Sequence, residues 1–320
     1  MPSTLSVKSI DKINIAISFD KNYLIPFYVL LTSILHSNPP ASVTLHVIAT
    51  GLAEEELQQV VAFVRQQGAS ICSYQVMDID VTQFVLPDDT YLSPAIYYRL
   101  FFPFLVSAEV SRLLYIDTDT LVVGNLQQAF ELDLGTYPVG AVTDTDMPTR
   151  SDLGIESVED YFNSGVLLLD IQRWKEQRIS EQALKVIQEQ PERIKGYPDQ
   201  DALNIVLHHN WYRLPTGYNL MRLYVPNEVP KRRFKEFLRG QYIIHYNGKK
   251  PWYSNCEHRL RHVFQEYQRL SPVAGSTRVT QVKLPKDKRQ QLRRSRLIEF
   301  YFDHPELVSF WRRLKGLKNK

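Results

Sequence analysis

INIAISF (13–19), VTLHVIAT (43–50) and ASICSYQV (69–76) are apolar runs of strand length. Between them lie YLIPFYVLLTSILHS (23–37) and AEEELQQVVAFVRQQ (53–67), both with helical apolar spacing. Strands that alternate with helices in this way lead to βαβ units, a parallel sheet and helices packed on its faces. In open sheets of that kind ligands sit beyond the carboxyl ends of the strands. Asp20, Lys21 and Asn22 stand at one such end, and Asp117 at another, after RLLYI (112–116).

From Tyr137 onward the alternation loosens. VGAVTD (139–144), GVLLLDI (165–171) and YIIHY (242–246) read as strands, RWKEQRISEQALKVIQEQ (173–190) and DQDALNIVLHH (199–209) as helices. Without a break in composition, residues 1–270 are expected to form one α/β domain on a single Rossmann-like mixed sheet flanked by helices. Residues 271–320 form a separate basic helical appendage: they carry 13 Lys/Arg against four Asp/Glu, a local balance of +9 in a chain whose net charge is only +3. A mildly acidic body with a basic tail calls for an anionic partner at the tail.

An apolar fraction of 44 % with 23 % charged residues excludes a disordered chain. No apolar run is long enough to span a bilayer, and the opening MPSTLSVKSIDK lacks the apolar core of a signal peptide. Two cysteines, Cys72 and Cys256, build neither a disulfide framework nor a CxxC metal site. A cytoplasmic setting is the expectation.

LLYIDTDTLVV (113–123) places two carboxylates, Asp117 and Asp119, one residue apart behind an apolar strand. Such a pair can grip one divalent ion and leave coordination positions open for phosphate oxygens. Alone it is ambiguous, because strand ends also use Asp as a turn residue. It also resembles the nucleophile loop of haloacid-dehalogenase-like phosphatases, in which Asp117 would attack phosphorus. That family places this strand first and needs a later acidic pair. Here several strand and helix segments precede Asp117, and no later strand ends in adjacent carboxylates.

The accompanying motifs are YYRLFFP (97–103), YFNSGVLLLDI (161–171), YPDQDALN (197–204) and IHYNGKKPW (244–252). Together, and in this order around Asp-Thr-Asp, they resemble glycosyltransferase family 8, the retaining hexosyltransferases that include lipopolysaccharide galactosyl- and glucosyltransferases and glycogenin. The resemblance covers about residues 12–260. It implies a GT-A fold, a UDP-hexose donor, Mn²⁺ (or Mg²⁺), and retention of configuration at the anomeric carbon. It assigns the metal to Asp117, Asp119 and His245, a borderline-hard donor set suited to Mn²⁺. It assigns the nucleotide-sugar to Asp20, Asn22, Tyr23, Arg99, Asp117, Thr118, Asp144, Asn163, Gly248 and Lys250. The reacting sugar face falls to Asp199 and Gln200, and Lys250 meets the charge of the departing UDP. Asp201 is expected to cap the helix that follows. Since an amide is a poor nucleophile, Gln200 favours front-face attack over a covalent intermediate. The stretch 146–160 (DMPTRSDLGIESVED) reads as a mobile polar loop.

The acceptor implied is a glycan or lipid-linked sugar. In the tail, Leu307, Phe310, Trp311, Leu314 and Leu317 share one helical face, with Arg312, Arg313 and Lys315 off it. That pattern fits an interfacial helix, hence peripheral association with the inner face of the cell membrane, with 287–320 dispensable for sugar-nucleotide chemistry. No nucleic-acid motif is present. A non-catalytic sugar-nucleotide-binding protein would not need the intact set of donor residues.

Overall fold

A computed structural model describes residues 12–75, 94–194, 196–276 and 279–307. In chain order the strands are β1 (Ile13–Asp20), β2 (Val43–Thr50), β3 (Ser70–Tyr74), β4 (Arg112–Ile116), β5 (Thr120–Val122), β6 (Val139–Thr143), β7 (Phe162–Asp170), β8 (Tyr212–Arg213) and β9 (Ile243–His245). The first helices are α1 (Leu24–Ser37), α2 (Glu54–Gln66), α3 (Phe102–Leu105), α4 (Gln127–Phe130) and α5 (Ile171–Glu176). Then come α6 (Ile179–Glu189), α7 (Pro198–Val206), α8 (Phe234–Phe237), α9 (Arg261–Leu270) and α10 (Lys286–Asp303). They fall into two compact bodies. One holds the chain up to Leu24, Leu35–Thr118 and Asn125–Leu214; the other holds Ile25–Ile34, Asp119–Gly124 and the chain from Pro215 onward.

The first body is built on a seven-stranded sheet in the order β3-β2-β1-β4-β7-β6-β8. β1 runs parallel to β2 and to β4, and β2 to β3. β7 is antiparallel to both β4 and β6, which makes the sheet mixed. All but the last residue of β7 is buried, as are six of the eight residues of β2, so these strands read as apolar runs rather than as alternating ones. Tyr97, Phe102, Tyr115, Phe162, Trp174, Leu203 and Trp211 belong to one core cluster. Because β1 and β4 are parallel, Asp20 and Asp117 leave the sheet at the same edge.

In the second body β5 pairs antiparallel with β9, setting Thr120 opposite His245. Val29, Leu121, Phe234, Ile244, Tyr246 and Phe264 form its core. Gly124 allows a close backbone approach there, for an added Cβ would lie 2.4 Å from the Gln241 carbonyl oxygen. α10 is tied in through ion pairs from Glu299 to Arg261 (2.9 Å) and from Asp303 to Lys231 (3.1 Å) and Arg259 (3.5 Å). Glu299 and Asp303 are therefore the anchors of this basic helix, which its sequence does not announce. The interfacial stripe from Phe310 to Leu317 lies outside the described residues.

Three local expectations change. The helix expected over 173–190 is two, α5 and α6, because Arg178 adopts a left-handed φ of 52°. The helix expected to reach His209 ends at Val206, and His209 has φ 59°. Within 146–160, Leu153 and Ile155 are buried against Tyr161, and Arg150 pairs with Asp201 at 2.6 Å, so the stretch is pinned to the body and not a free polar loop. Among the described residues no helix is long and apolar enough to cross a membrane.

Candidate active site

The first body gathers Arg99, Asp117, Asp144, Asn163, Asp199 and Gln200 into one polar network. Arg99, on the turn of 3-10 helix Pro94–Leu100, is only 6 % exposed. Its guanidinium reaches Asp117 at 2.9 Å and Asp199 at 3.1 Å, and donates to the carbonyl and hydroxyl oxygens of Ser164 at 2.6 and 2.8 Å. A buried fork that joins two carboxylates from distant segments is more than a surface ion pair, since Lys could not reproduce its geometry. Asp117 also accepts from the Tyr115 hydroxyl at 2.8 Å, while its backbone N–H donates to the Gly165 carbonyl at 2.8 Å. Its side chain is thus fixed at the end of β4. Burial pushes the Asp199 carboxyl up, Arg99 pulls against that, and the charge of Asp117 adds to it; the net direction is upward.

Gln200 is held at both ends of its carboxamide. Its oxygen accepts from the Ser164 N–H at 3.0 Å and from Asn163 at 3.2 Å. Its nitrogen donates to Asp144 and to the Tyr161 hydroxyl, both at 3.2 Å. Asn163 donates to Asp144 at 3.0 Å. Asp144, Asn163, Asp199 and Gln200 are all buried. α7 supplies Asp199 and Gln200 from its first turn, entered through Pro198, where a missing N–H costs nothing.

The expectation for Asp201 is corrected. It is fully buried inside α7 rather than at its N-cap, which is Tyr197. Its carboxylate accepts from Tyr161 at 2.5 Å and from Arg150 at 2.6 Å. Burial raises its pKa, opposed by Arg150 and Tyr161. Asp201, Tyr161 and Arg150 therefore buttress Gln200 from behind. Ser164, inside the YFNSG segment, joins the same network through Arg99, Asp199 and Gln200.

Asp20 serves a local role in this structure: its carboxylate accepts from the Asn22 N–H at 2.8 Å and caps the turn Lys21–Tyr23. Asn22 is exposed and Tyr23 half-buried, both at the carboxyl end of β1. Thr118, buried, closes the first body's share of the Asp-Thr-Asp segment.

The second body holds Asp119, His245, Gly248 and Lys250. The β5–β9 pairing brings His245 next to Asp119: the Tyr246 N–H donates to the Asp119 carbonyl at 2.9 Å, and His245 Nε2 lies 3.4 Å from the Asp119 carboxylate. Gly248, at φ 78°, takes the left-handed turn that returns the chain, and Lys250 pairs with the other Asp119 oxygen. Burial alone would raise the Asp119 carboxyl, but Lys250 and His245 outweigh it and hold it below the usual carboxylate range. Asn219 was not anticipated. Fully buried, it accepts from His245 Nδ1 at 2.9 Å and so orients the ring with Nε2 toward the Asp119 carboxylate. A carboxylate beside an imidazole is a donor set that fits Mn²⁺ or Mg²⁺.

The sequence model described as Glycosyl transferase family 8 matches residues 14–256. General stress protein A of Bacillus subtilis (strain 168) is 28 % identical over 78 % of this chain and 90 % of its own length. Lipopolysaccharide 1,2-glucosyltransferase of Escherichia coli (strain K12) is 28 % identical, covering 78 % of this chain and 75 % of its own. Among solved structures, galactosyltransferase LgtC in complex with donor and acceptor sugar analogs superposes with a TM-score of 0.67 at 25 % identity, over 87 % of this chain and 99 % of that one. The mixed sheet flanked by helices is the GT-A fold.

Proposed function

The chain belongs to glycosyl transferase family 8, a retaining family, and we propose that it moves a hexose, glucose or galactose, from a UDP-sugar to a glycan or lipid-linked acceptor in a metal-dependent reaction. Asp117, Asp119 and His245 would hold Mn²⁺ or Mg²⁺, which when bound offsets negative charge on the diphosphate. The observation that carries this reading is the imidazole of His245, held at Nδ1 by Asn219 with its Nε2 3.4 Å from Asp119.

Lys250, now paired with Asp119, is the cation that meets the UDP phosphates as the bond to the sugar breaks. Arg99 keeps Asp117 and Asp199 oriented. Asp20, Asn22, Tyr23 and Thr118 serve the nucleotide side, and Gly248 leaves room for the diphosphate. Asp144, Asn163, Asp199 and Gln200 offer the carboxylates and amides that a ring of sugar hydroxyls requires. With both ends of its carboxamide bonded, Gln200 is a fixed dipole and not a nucleophile. The bond from the anomeric carbon to UDP breaks, the acceptor oxygen attacks on the same face, and its proton passes to a phosphate oxygen of the leaving group.

The exposed face of α10 supports a peripheral membrane reading, because Arg293 and Arg294 lie there with Leu297, Ile298, Phe300 and Tyr301, all about half exposed. Deleting the helix would strip Arg259 and Arg261 of partners, so Arg293→Glu with Arg294→Glu is the cleaner test. We expect lost binding to anionic vesicles with UDP-sugar hydrolysis intact.

The central experiment is Mn²⁺-dependent release of UDP across a panel of UDP-sugars. Turnover of UDP-glucose or UDP-galactose is expected. Hydrolysis of p-nitrophenyl phosphate without UDP-sugar turnover would overturn the proposal in favour of a phosphatase using Asp117.

A further inference from the structure

A second group of metal-ligating side chains lies within the first body, apart from every residue assigned above. Asp160 ends the 3-10 turn Val158–Asp160, and His208 and His209 follow the C-terminal end of α7. One ligand atom from each residue lies within 4.8 Å of those of the other two. The two imidazoles are stacked, with ring centroids 3.8 Å apart. We propose that Asp160, His208 and His209 form a peripheral site for a borderline divalent transition-metal ion of the Zn²⁺ class.

The backbone is the first argument. His209 adopts φ 59°, one of only two positive-φ residues other than glycine among those described. Left-handed backbone is disfavoured for a residue with a Cβ and persists where the surroundings demand it. Here it ends the helical turn, with the Asn210 N–H donating to the Leu207 carbonyl at 2.8 Å, and brings two consecutive imidazoles to one side. On a regular helix, consecutive side chains point about 100° apart and could not share an ion.

Charge and donor chemistry agree. One Asp160 oxygen accepts from Arg213 at 2.5 Å, and the other lies 4.0 Å from His209 Nδ1. Arg213 is therefore the outer partner that orients the carboxylate, as ligating carboxylates generally require, while the second oxygen remains for the ion. Metal bonds of 2.0–2.1 Å require ligand atoms about 3.4 Å apart. The 69 % exposed side chain of His209 is free to close that difference. Two nitrogens and one oxygen favour Zn²⁺, Co²⁺, Ni²⁺ or Cu²⁺ over Mg²⁺ and Mn²⁺, with water in the remaining positions. A bound ion clips the turn before Tyr161 to the end of α7, the helix whose first turn carries Gln200.

The test uses untagged, metal-stripped full-length protein carrying His245→Gln, which removes the imidazole of the other donor set. Zn²⁺ is titrated by calorimetry, and Co²⁺ is followed by its visible absorption. One equivalent is expected to bind, and adding His208→Gln and His209→Gln should weaken Zn²⁺ affinity at least tenfold and abolish the Co²⁺ bands. Asp160→Asn, which leaves the turn intact, serves as the second variant should the double substitution fail to fold, and it should weaken binding in the same direction. In otherwise unaltered protein, His208→Gln with His209→Gln should leave Mn²⁺-dependent UDP release unchanged. Unchanged Zn²⁺ affinity in folded variants overturns the proposal.

Discussion

Tyr161 and Gln200 meet at 3.2 Å, the Gln200 amide donating to a hydroxyl that itself donates to Asp201 at 2.5 Å. Arg150 closes the chain by pairing with Asp201. The carboxamide on the reacting face is thus positioned by residues that need not touch the sugar. Pre-organisation of this kind matters because small displacements at a reacting centre cost large factors in rate.

Tyr161→Phe should therefore lower kcat for UDP-sugar turnover about tenfold, leave the Kd for UDP unchanged, and lower stability by about 1–3 kcal/mol. The split between kcat and UDP affinity is the readout. A kcat within about twofold of the parent, alongside a reduced Tm, would show that the hydroxyl serves folding alone.

Asn219→Ala removes the oxygen that accepts from His245 Nδ1 and lets the ring turn. The Mn²⁺ concentration for half-maximal activity should rise about 10- to 100-fold, and excess Mn²⁺ should restore most of the rate. Asn219→Asp keeps an acceptor at the same place and should recover affinity. Equal Mn²⁺ dependence in the Ala variant and the parent would remove Asn219 from the site.

His46 lies in β2 with its ring nitrogens on the Tyr74 hydroxyl (2.8 Å) and the Asn14 amide oxygen (3.1 Å), and burial lowers its pKa to about 4. The folded protein holds the neutral ring, whereas the unfolded chain binds a proton below its ordinary value of 6.5. Its contribution is complete above 6.5 and is lost as pH falls towards 4, by up to about 3 kcal/mol. Urea denaturation between those limits should show a slope that His46→Gln flattens. An identical slope in both proteins would assign the acid sensitivity elsewhere.

Gly124→Ala would place a Cβ 2.4 Å from the Gln241 carbonyl oxygen, a backbone atom that cannot swing aside. Equilibrium denaturation should show a loss of about 1–3 kcal/mol. A change below about 0.5 kcal/mol would mean the segment gives way freely.

Much of this protein was legible in its residues. Apolar runs of strand length fixed β1, β2 and β4, since strands buried on both faces need little beyond apolar, β-branched sequence. The same runs placed Asp20 and Asp117 at one sheet edge. Asp-Thr-Asp, the Asp-Gln-Asp turn and His-Tyr-Asn-Gly named the donor chemistry, because ligand type and local spacing are properties of the chain itself. The break at Arg178 and the helix end before His208 were not legible, for they depend on two single residues in left-handed backbone. Nor were the partners. Asp201 reads as a cap until Arg150 and Tyr161 are found around it, and nothing near Asn219 in the sequence points to a histidine 26 positions away. Sequence determines which groups are available; only the tertiary fold decides which buried polar groups must satisfy one another, because that pairing is set by desolvation and packing between segments remote in the chain.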